Sequence, residues 1–350
     1  MLRRCLSTWR PPTFAPLPPV PEWAHIFGHQ RDRAFVHNVD TAGKLAAAFL
    51  KDTKRPKTII EAYPGAGILT RALLQYPPDV VKKIIVLEDH RKCYTSLKSL
   101  EEQDDRVRVV ERSGFQWATY SFLEAEGHMQ DVEVADWADD AALQFVAHIP
   151  HTVQGDQLMS QLFRAIPERA WLFKYGRVRM SCVLSEALNE RIMALNAAKA
   201  RCKLSVIARA TCDVQVSLAA KDASPYGAHF YPLPYGERSG KTTGSKRTGT
   251  PHLASTFTPL VKPLIAKGDM EKWDYITRAL FVRKSNSLGK VLPSLAPGAE
   301  NLVTALISPD TPEEDRVDPT KLVTNLTERD WQNVVKAFNN WPFAPDVNEM

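Results

Sequence analysis

Residues 58–74, TIIEAYPGAGILTRALL, constrain the chain more than any other stretch. An apolar run at 58–60 ends at Glu61, a Pro-Gly-Ala-Gly turn follows, and Ile68, Leu69, Ala72 and Leu73 then repeat at helical spacing. A backbone that passes sharply from strand to helix needs a positive φ or a missing Cβ, and glycine provides both while letting a ligand approach the main chain. The stretch predicts a strand, a nucleotide-type binding turn and a helix.

The flanking residues extend it into a βαβ unit. Tyr76, Pro77 and Pro78 stop the helix, and KKIIVLEDH (82–90) carries a four-residue apolar run, typical of a strand buried on both faces, that ends in Glu88. Glu88 lies 21 residues beyond Gly67, where an acidic side chain at a strand tip can accept both ribose hydroxyls of a nucleoside. Before this unit, 40–50 reads as a helix capped by Asn38 or Asp40. After it come a helix over 93–100, a strand over 106–110 and a segment 115–126 holding Trp117 and Tyr120. A strand over 143–149 then runs into His148-Ile149-Pro150-His151, followed by a helix over 157–163 and a strand from 170–173 leading into Tyr175-Gly176-Arg177. Strands alternating with helices at this spacing predict an α/β chain with a doubly wound, mostly parallel sheet and its ligand at the carboxyl ends of the strands.

Further on, 181–197 has helical periodicity, and 202–217 reads as two β-like pieces, LSVIAR and CDVQVSL. Residues 224–251 read as a basic loop containing Lys241, Lys246 and Arg247; its SGKT is no phosphate loop, because Tyr235 stands where the first glycine is required. Helical patterns return at 273–282, 299–307 and 328–341. The expected organisation is a lead-in over 1–21, a Rossmann-like domain over 22–260 with the basic insert, and a small helical domain over 261–350.

Composition narrows the class. With 44% apolar and 24% charged residues among 350, the chain is neither disordered nor fibrous. The net charge of +5 favours an acidic partner such as nucleic acid. Five cysteines without a CxxC pair argue against a disulfide framework or a zinc site, and no metal is assigned. No apolar run approaches the roughly 18 residues that span a bilayer, so no membrane role is expected. Residues 1–21 lack acidic side chains and interleave Arg3, Arg4 and Arg10 with Leu2, Leu6 and Trp9, the pattern of a mitochondrial presequence; their prolines predict a stiff lead-in outside the fold. Trp117, Trp171, Trp273 and Trp331 sit in apolar periodic contexts and are expected in the core.

EAYPGAGILT resembles the E-x-G-P-G-x-G-x-L-T signature of the rRNA adenine dimethyltransferases and their relatives, the mitochondrial transcription factors B. AFVHNVDTAGKLAAAF is similar to the family's segment closing over the methionine end of the cofactor, VLEDH to its ribose-binding strand end, FVRKSNSLGKVL to a basic segment of its helical domain, and TNLTERDWQNVVKAFNNWP to its closing helix. The resemblance implies a class I S-adenosylmethionine-dependent methyltransferase fold. It places S-adenosyl-L-methionine against Val36, Glu61, Tyr63, Gly65, Gly67, Glu88, Ser113 and His148, with retention and loss of binding both open. Active members methylate the exocyclic nitrogen of adenines held flipped against an N-L-P-Y type motif, which here reads His148-Ile149-Pro150-His151, so His148, Pro150 and His151 occupy the catalytic positions.

Several positions depart from the family. Imidazole does not reproduce an amide oxygen, and a protonated His148 or His151 would repel a sulfonium. Tyr63 stands at the signature's first glycine, Ser113-Gly114-Phe115 replaces a Gly-Asp, and Asp32-Arg33 replaces a Gly-Gln. Together these imply a retained fold without its chemistry. The expected function is that of a mitochondrial matrix transcription factor, closest in character to the fungal promoter-specificity factors, acting as a monomer with mitochondrial RNA polymerase. Lys174, Tyr175, Arg177, Arg179, Lys241, Lys246, Arg247, Arg283 and Lys284 are its candidate contacts to single-stranded promoter DNA. The alternatives are an active dimethyltransferase of small-subunit rRNA and a silent rRNA-binding assembly factor.

Overall fold

Seven strands form one sheet in the computed structural model, which describes residues 9–28, 32–234 and 249–347. In chain order they are β1 (Lys57–Ala62), β2 (Val81–Leu87), β3 (Val107–Val110), β4 (Leu143–His148), β5 (Arg179–Ser185), β6 (Cys212–Leu218) and β7 (His252–Pro259), and their order across the sheet is β3-β2-β1-β4-β5-β7-β6. β1 to β5 pair in parallel, with Ile60 opposite both Ile85 and Phe145, and β7 runs antiparallel to β5, with Met180 opposite Phe257. Every residue of β1 and β4 is buried, as strands covered on both faces must be. The order reverses between β1 and β4, and that switch point opens beyond Ala62 and His148.

The helices cover this sheet for reasons written in their sequences. In α1 (Val39–Phe49) Asn38 caps the start, its Oδ1 accepting from Thr41 N at 2.9 Å, and Leu45, Ala46 and Phe49 face the core. α2 (Ile68–Leu73) begins at Gly67, α3 (Arg91–Gln103) buries Cys93, Leu97 and Leu100, and α4 (Trp117–Ala125) and α5 (Val153–Glu168) follow β3 and β4. The remaining long helices are α6 (Glu186–Met193), α7 (Lys203–Thr211), α8 (Met270–Phe281), α9 (Asn301–Ile307) and α10 (Glu328–Asn340). A reciprocal box starts α10: Asp330 N donates to Thr327 Oγ1 at 3.1 Å, and Thr327 N donates to Asp330 Oδ2 at 2.8 Å.

Several expectations need correction. The strand expected from 170 is a short 3-10 helix, Trp171–Tyr175, and the true strand is β5, whose residues from 181 fall in the stretch where helical periodicity is expected. LSVIAR is part of α7, not a strand; Leu204 to Ala208 are all buried, and five consecutive buried residues leave no period to read inside the segment, the polar side of the helix being marked only by Lys203 and Arg209 at its ends. The lead-in does not lie outside the fold: Phe14, Leu17 and Val20 pack on the core, Trp23 Nε1 donates to Pro18 O at 2.8 Å, and Gln75 Nε2 donates to Pro12 O at 3.2 Å. Part of the expected basic loop is also ordered, since Phe230–Tyr231 pairs antiparallel with Phe35–Val36 and Tyr226 is buried. Lys241, Lys246 and Arg247 lie outside the described residues. Trp171, Trp273 and Trp331 are buried, whereas Trp117 is 46% exposed, with its ring centroid 4.4 Å from that of Trp171.

Two compact units result, and they do not divide at 260. One comprises the described residues up to Leu158 with Trp171–Glu186 and Gln215–Thr258; the other comprises Met159–Ala170, Ala187–Val214 and the described residues from Pro259. The second unit thus takes α6 and α7 as well as the C-terminal helices, because the apolar side of α7 packs against α8 and α10. Among the described residues no helix is long and apolar enough to cross a membrane, and Cys93, Cys182, Cys202 and Cys212 form no disulfide with one another.

Candidate functional site

Beyond the carboxyl end of β1 the chain turns through Tyr63-Pro64-Gly65-Ala66-Gly67. Gly65 and Gly67 have φ of 62° and 77°, and a Cβ on Gly65 would lie 2.3 Å from the Phe35 ring. Tyr63 adopts φ 60°, so the glycine backbone of the signature survives with a side chain on it, at a cost of about 1–2 kcal/mol. Its hydroxyl pairs with Ser113 Oγ at 3.1 Å, and burial pushes the phenol up to about 12.

Glu88, at the tip of β2, is fully buried and fully engaged. Oε1 accepts from Arg33 Nη1 at 2.7 Å, Arg33 Nη2 at 2.8 Å and His90 N at 2.8 Å, while Oε2 accepts from Gly65 N at 3.3 Å. Burial works against the Arg33 charge, but Glu88 and Asp89 raise its pKa overall, and its guanidinium carbon sits 4.9 Å above the Tyr63 ring. Burial pushes the Glu88 carboxyl upward, with Arg33 the first group pulling it back. Glu61, one strand inward, has no hydrogen-bond donor for either oxygen among the described residues. Burial, opposed by Thr70 and reinforced by Glu88, pushes it up to about 7.

Across the switch point His148 is buried, and its Nε2 accepts from Val36 N at 3.4 Å. Burial, with His252 and Arg33, lowers it to about 3. The expected repulsion between a protonated His148 and a sulfonium therefore does not arise, since the ring is neutral at any physiological pH. Pro150 is buried, its carbonyl closed in by Gly155 of α5, where a Cβ would lie 1.8 Å from the oxygen. His151 is half-buried, its ring centroid 5.8 Å from that of His252.

The structure thus brings together Val36, Glu61, Tyr63, Gly65, Glu88, Ser113 and His148, with Gly67 capping α2. Sequence reasoning noticed Arg33 as a departure but missed that it pairs with Glu88, and missed Phe35 and His252 altogether. An unpaired buried carboxylate at a strand tip was the signal that could have prompted a search for a cation.

Tested against S-adenosylmethionine, this cradle does not fit as arranged. Both oxygens of Glu88, the carboxylate that the resemblance assigns to the ribose, are committed, the Arg33 guanidinium occupies Oε1, and the Phe35 ring lies against Gly65 of the turn. Among the described residues no group of three metal-ligating side chains converges.

The nucleic-acid candidates divide by unit. In the first, Lys174 and Tyr175 both engage Glu124, the phenol donating at 3.1 Å, while Arg177 donates to Ala138 O and Arg179 to Lys51 O. In the second, Arg283 is exposed, and Lys284 Nζ donates to the carbonyls of Lys199 and Arg201.

Comparison with known proteins gives this geometry a family. The chain is 25% identical over 309 residues to mitochondrial transcription factor 1 of Saccharomyces paradoxus, covering 85% of this chain and 84% of that protein. It is 22% identical over 370 residues to the mitochondrial dimethyladenosine transferase 1 of Vermamoeba vermiformis, covering 94% and 96%. These relatives are mitochondrial proteins by name, and the chain is assigned to the mitochondrion with them. The crystal structure of a dimethyladenosine transferase from Plasmodium falciparum superposes with a TM-score of 0.57 at 16% identity, covering 87% of this chain and 97% of that one, so the fold is that of the S-adenosylmethionine-dependent methyltransferases. Residues 35–340 match the family model for ribosomal RNA adenine dimethylase, and the chain belongs to that family.

Proposed function

We propose that the protein is a mitochondrial transcription factor in the matrix that has given up methyl transfer and assists mitochondrial RNA polymerase in opening promoters. The observation that supports this best is the Arg33–Glu88 pair beneath Tyr63: the chain's own guanidinium holds the carboxylate that would otherwise bind a ribose. His148 and His151 at the catalytic positions point the same way, since a neutral, buried His148 offers the adenine amine neither an amide oxygen nor an open approach. On this reading the chain acts as a monomer, Tyr63 and Arg33 keep the switch point closed, and basic side chains hold the unpaired strand by its phosphates. Run-off transcription from a mitochondrial promoter with purified polymerase tests the proposal. Stimulation by the protein, unaffected by omitting S-adenosylmethionine, is expected; absence of stimulation refutes it.

One observation favours the second reading, an active small-subunit rRNA dimethyltransferase. Glu61 keeps two buried oxygens without a donor, which a cofactor's ammonium could occupy. Transfer of labelled methyl groups from S-adenosylmethionine to unmethylated rRNA, lost in Glu88→Ala, would establish that reading instead.

A further inference from the structure

A cavity of about 470 Å³ opens at the amino end of the sheet, within the first unit and on the opposite edge from the Glu88 cradle. Its walls come from the turn after α1, the approach to β4, the start of β5 and the far end of β7. Five cations line it: Lys51, Lys54, Arg55, Arg177 and Arg179. Three carboxylates line it too, Asp52, Asp139 and Asp140, but the last is already answered from below. Lys57, buried beneath the cavity, reaches Asp140 Oδ2 at 2.6 Å, and Arg179 stands 3.6 Å from Oδ1. Burial works against the Asp140 charge, yet Lys57 holds its pKa below the ordinary carboxylate range.

The lining cations are held in different ways, and Arg55 stands 3.8 Å from Glu133 Oε2. Arg179 is fixed by its bond to Lys51 O at 2.8 Å and Arg177 by its bond to Ala138 O at 3.2 Å, so both guanidinium groups are oriented before any ligand arrives. Lys51 and Lys54 are exposed and form no side-chain ion pair with a described residue. Thr256, Thr258 and Gln215 add neutral polar groups, and the lining contains no aromatic side chain. Asp52, in the turn that carries Lys51, has φ 59°, a left-handed turn conformation that aspartate tolerates.

We propose that this cavity is a phosphate-binding site for nucleotides, gripping the backbone of a single strand and reading no base. The volume suits one or two phosphate groups with their sugars, and oriented guanidinium forks with exposed ammonium groups are the donor set that phosphate oxygens take. Without an aromatic platform the site has no means of stacking a base, so its contribution is independent of sequence. The inference rests on the proposed nucleic-acid role and locates part of its grip on the sheet edge away from the closed cradle.

Binding of a fluorescein-labelled single-stranded DNA 20-mer is followed by anisotropy from low to moderate salt for the full chain, for Lys51→Ala/Lys54→Ala and for Lys262→Ala/Lys267→Ala, an equal charge change on exposed residues of the second unit. Losing two strand-phosphate contacts is expected to reduce the slope of log K against log salt by about 1.4 and to weaken binding by about 25-fold near 0.1 M salt, with the control pair close to wild type and all three melting alike. Titration with ATP separates the two sources of phosphate: ATP binding lost in the Lys51/Lys54 variant while the DNA slope stays unchanged assigns the cavity to free nucleotides and overturns the strand-binding role. An unchanged slope together with unchanged ATP binding overturns the site while leaving the nucleic-acid reading standing. Failure of the wild-type chain to bind either DNA or ATP overturns both.

Discussion

Replacing Glu88 by Gln separates a structural role from a cofactor role. In a cofactor-binding cradle the carboxylate waits for a ribose, and the neutral isostere costs little stability. Here it leaves the Arg33 guanidinium, whose side chain is 13% exposed, without its main counter-ion. It also sets an amide NH₂ against a ring of donors, since Arg33, His90 N and Gly65 N all point at the two oxygens. Breaking one side of a buried pair costs about 3–5 kcal/mol. Arg33 keeps Asp89 at 2.6 Å, but that carboxylate is 41% exposed and screened, so the lower end, about 3 kcal/mol, is expected. At about 2–4 °C per kcal/mol for a domain of this size, the melting temperature should fall by roughly 6–12 °C in a circular-dichroism melt. The double variant Arg33→Met/Glu88→Gln removes charge and counter-ion together and should recover most of the loss, giving a coupling of about 2 kcal/mol. A Glu88→Gln protein that melts within about 2 °C of wild type refutes the reasoning. So does a wild type stabilised by S-adenosylmethionine to the extent of about 2.7 kcal/mol, the linkage expected at a hundredfold excess over Kd.

Other perturbations test neighbouring features. His148 and His252, lowered by burial to about 3 and about 4, contribute stability that is complete above the unfolded value near 6.5 and is lost as pH falls towards the folded values. Glu61, raised to about 7, acts in the opposite sense and regains stability as it protonates from about 7 downward, so the imidazoles must be read by difference. The stability gap between wild type and His148→Gln in urea unfolding should narrow by about 1.4 kcal/mol between pH 7.5 and 5.5, and a constant gap would show that the ring is not held neutral. Arg33→Gly/Tyr63→Gly frees Glu88 and uncovers the turn, so titration calorimetry should detect S-adenosylmethionine binding absent from the wild type; no gain in either protein would mean that other side chains close the cradle. Deleting residues 1–21 removes Phe14, Leu17 and Val20 from the core and should cost about 2–4 kcal/mol, read as a melting temperature lower by several degrees; an unchanged melt would make the segment dispensable.

The parallel sheet was legible because its strands are short, apolar on both faces and punctuated by glycine and proline, so β1, β2 and β4 could be read with the turn that joins the first two. The errors have a common physical origin. MSCVL and LSVIA are both buried throughout, and once every residue of a short segment is buried, neither the two-residue nor the 3.6-residue period survives to tell strand from helix. The lead-in misled through its prolines, which specify extension but say nothing about what the extended chain lies on. In the site, the turn and Glu88 were visible as motifs, whereas Arg33 lies 55 residues away from its partner and only the folded chain joins them.

The Arg33–Glu88 pair also bears on how the protein answers to the cell. An enzyme that needs a bound metabolite to complete its fold is most robust when that metabolite is plentiful and weakest when it is scarce. A chain that carries the completing cation on its own arginine side chain has no such dependence. On the proposed reading, its abundance, and any transcription that relies on it, is then insulated from swings in the supply of methyl donors.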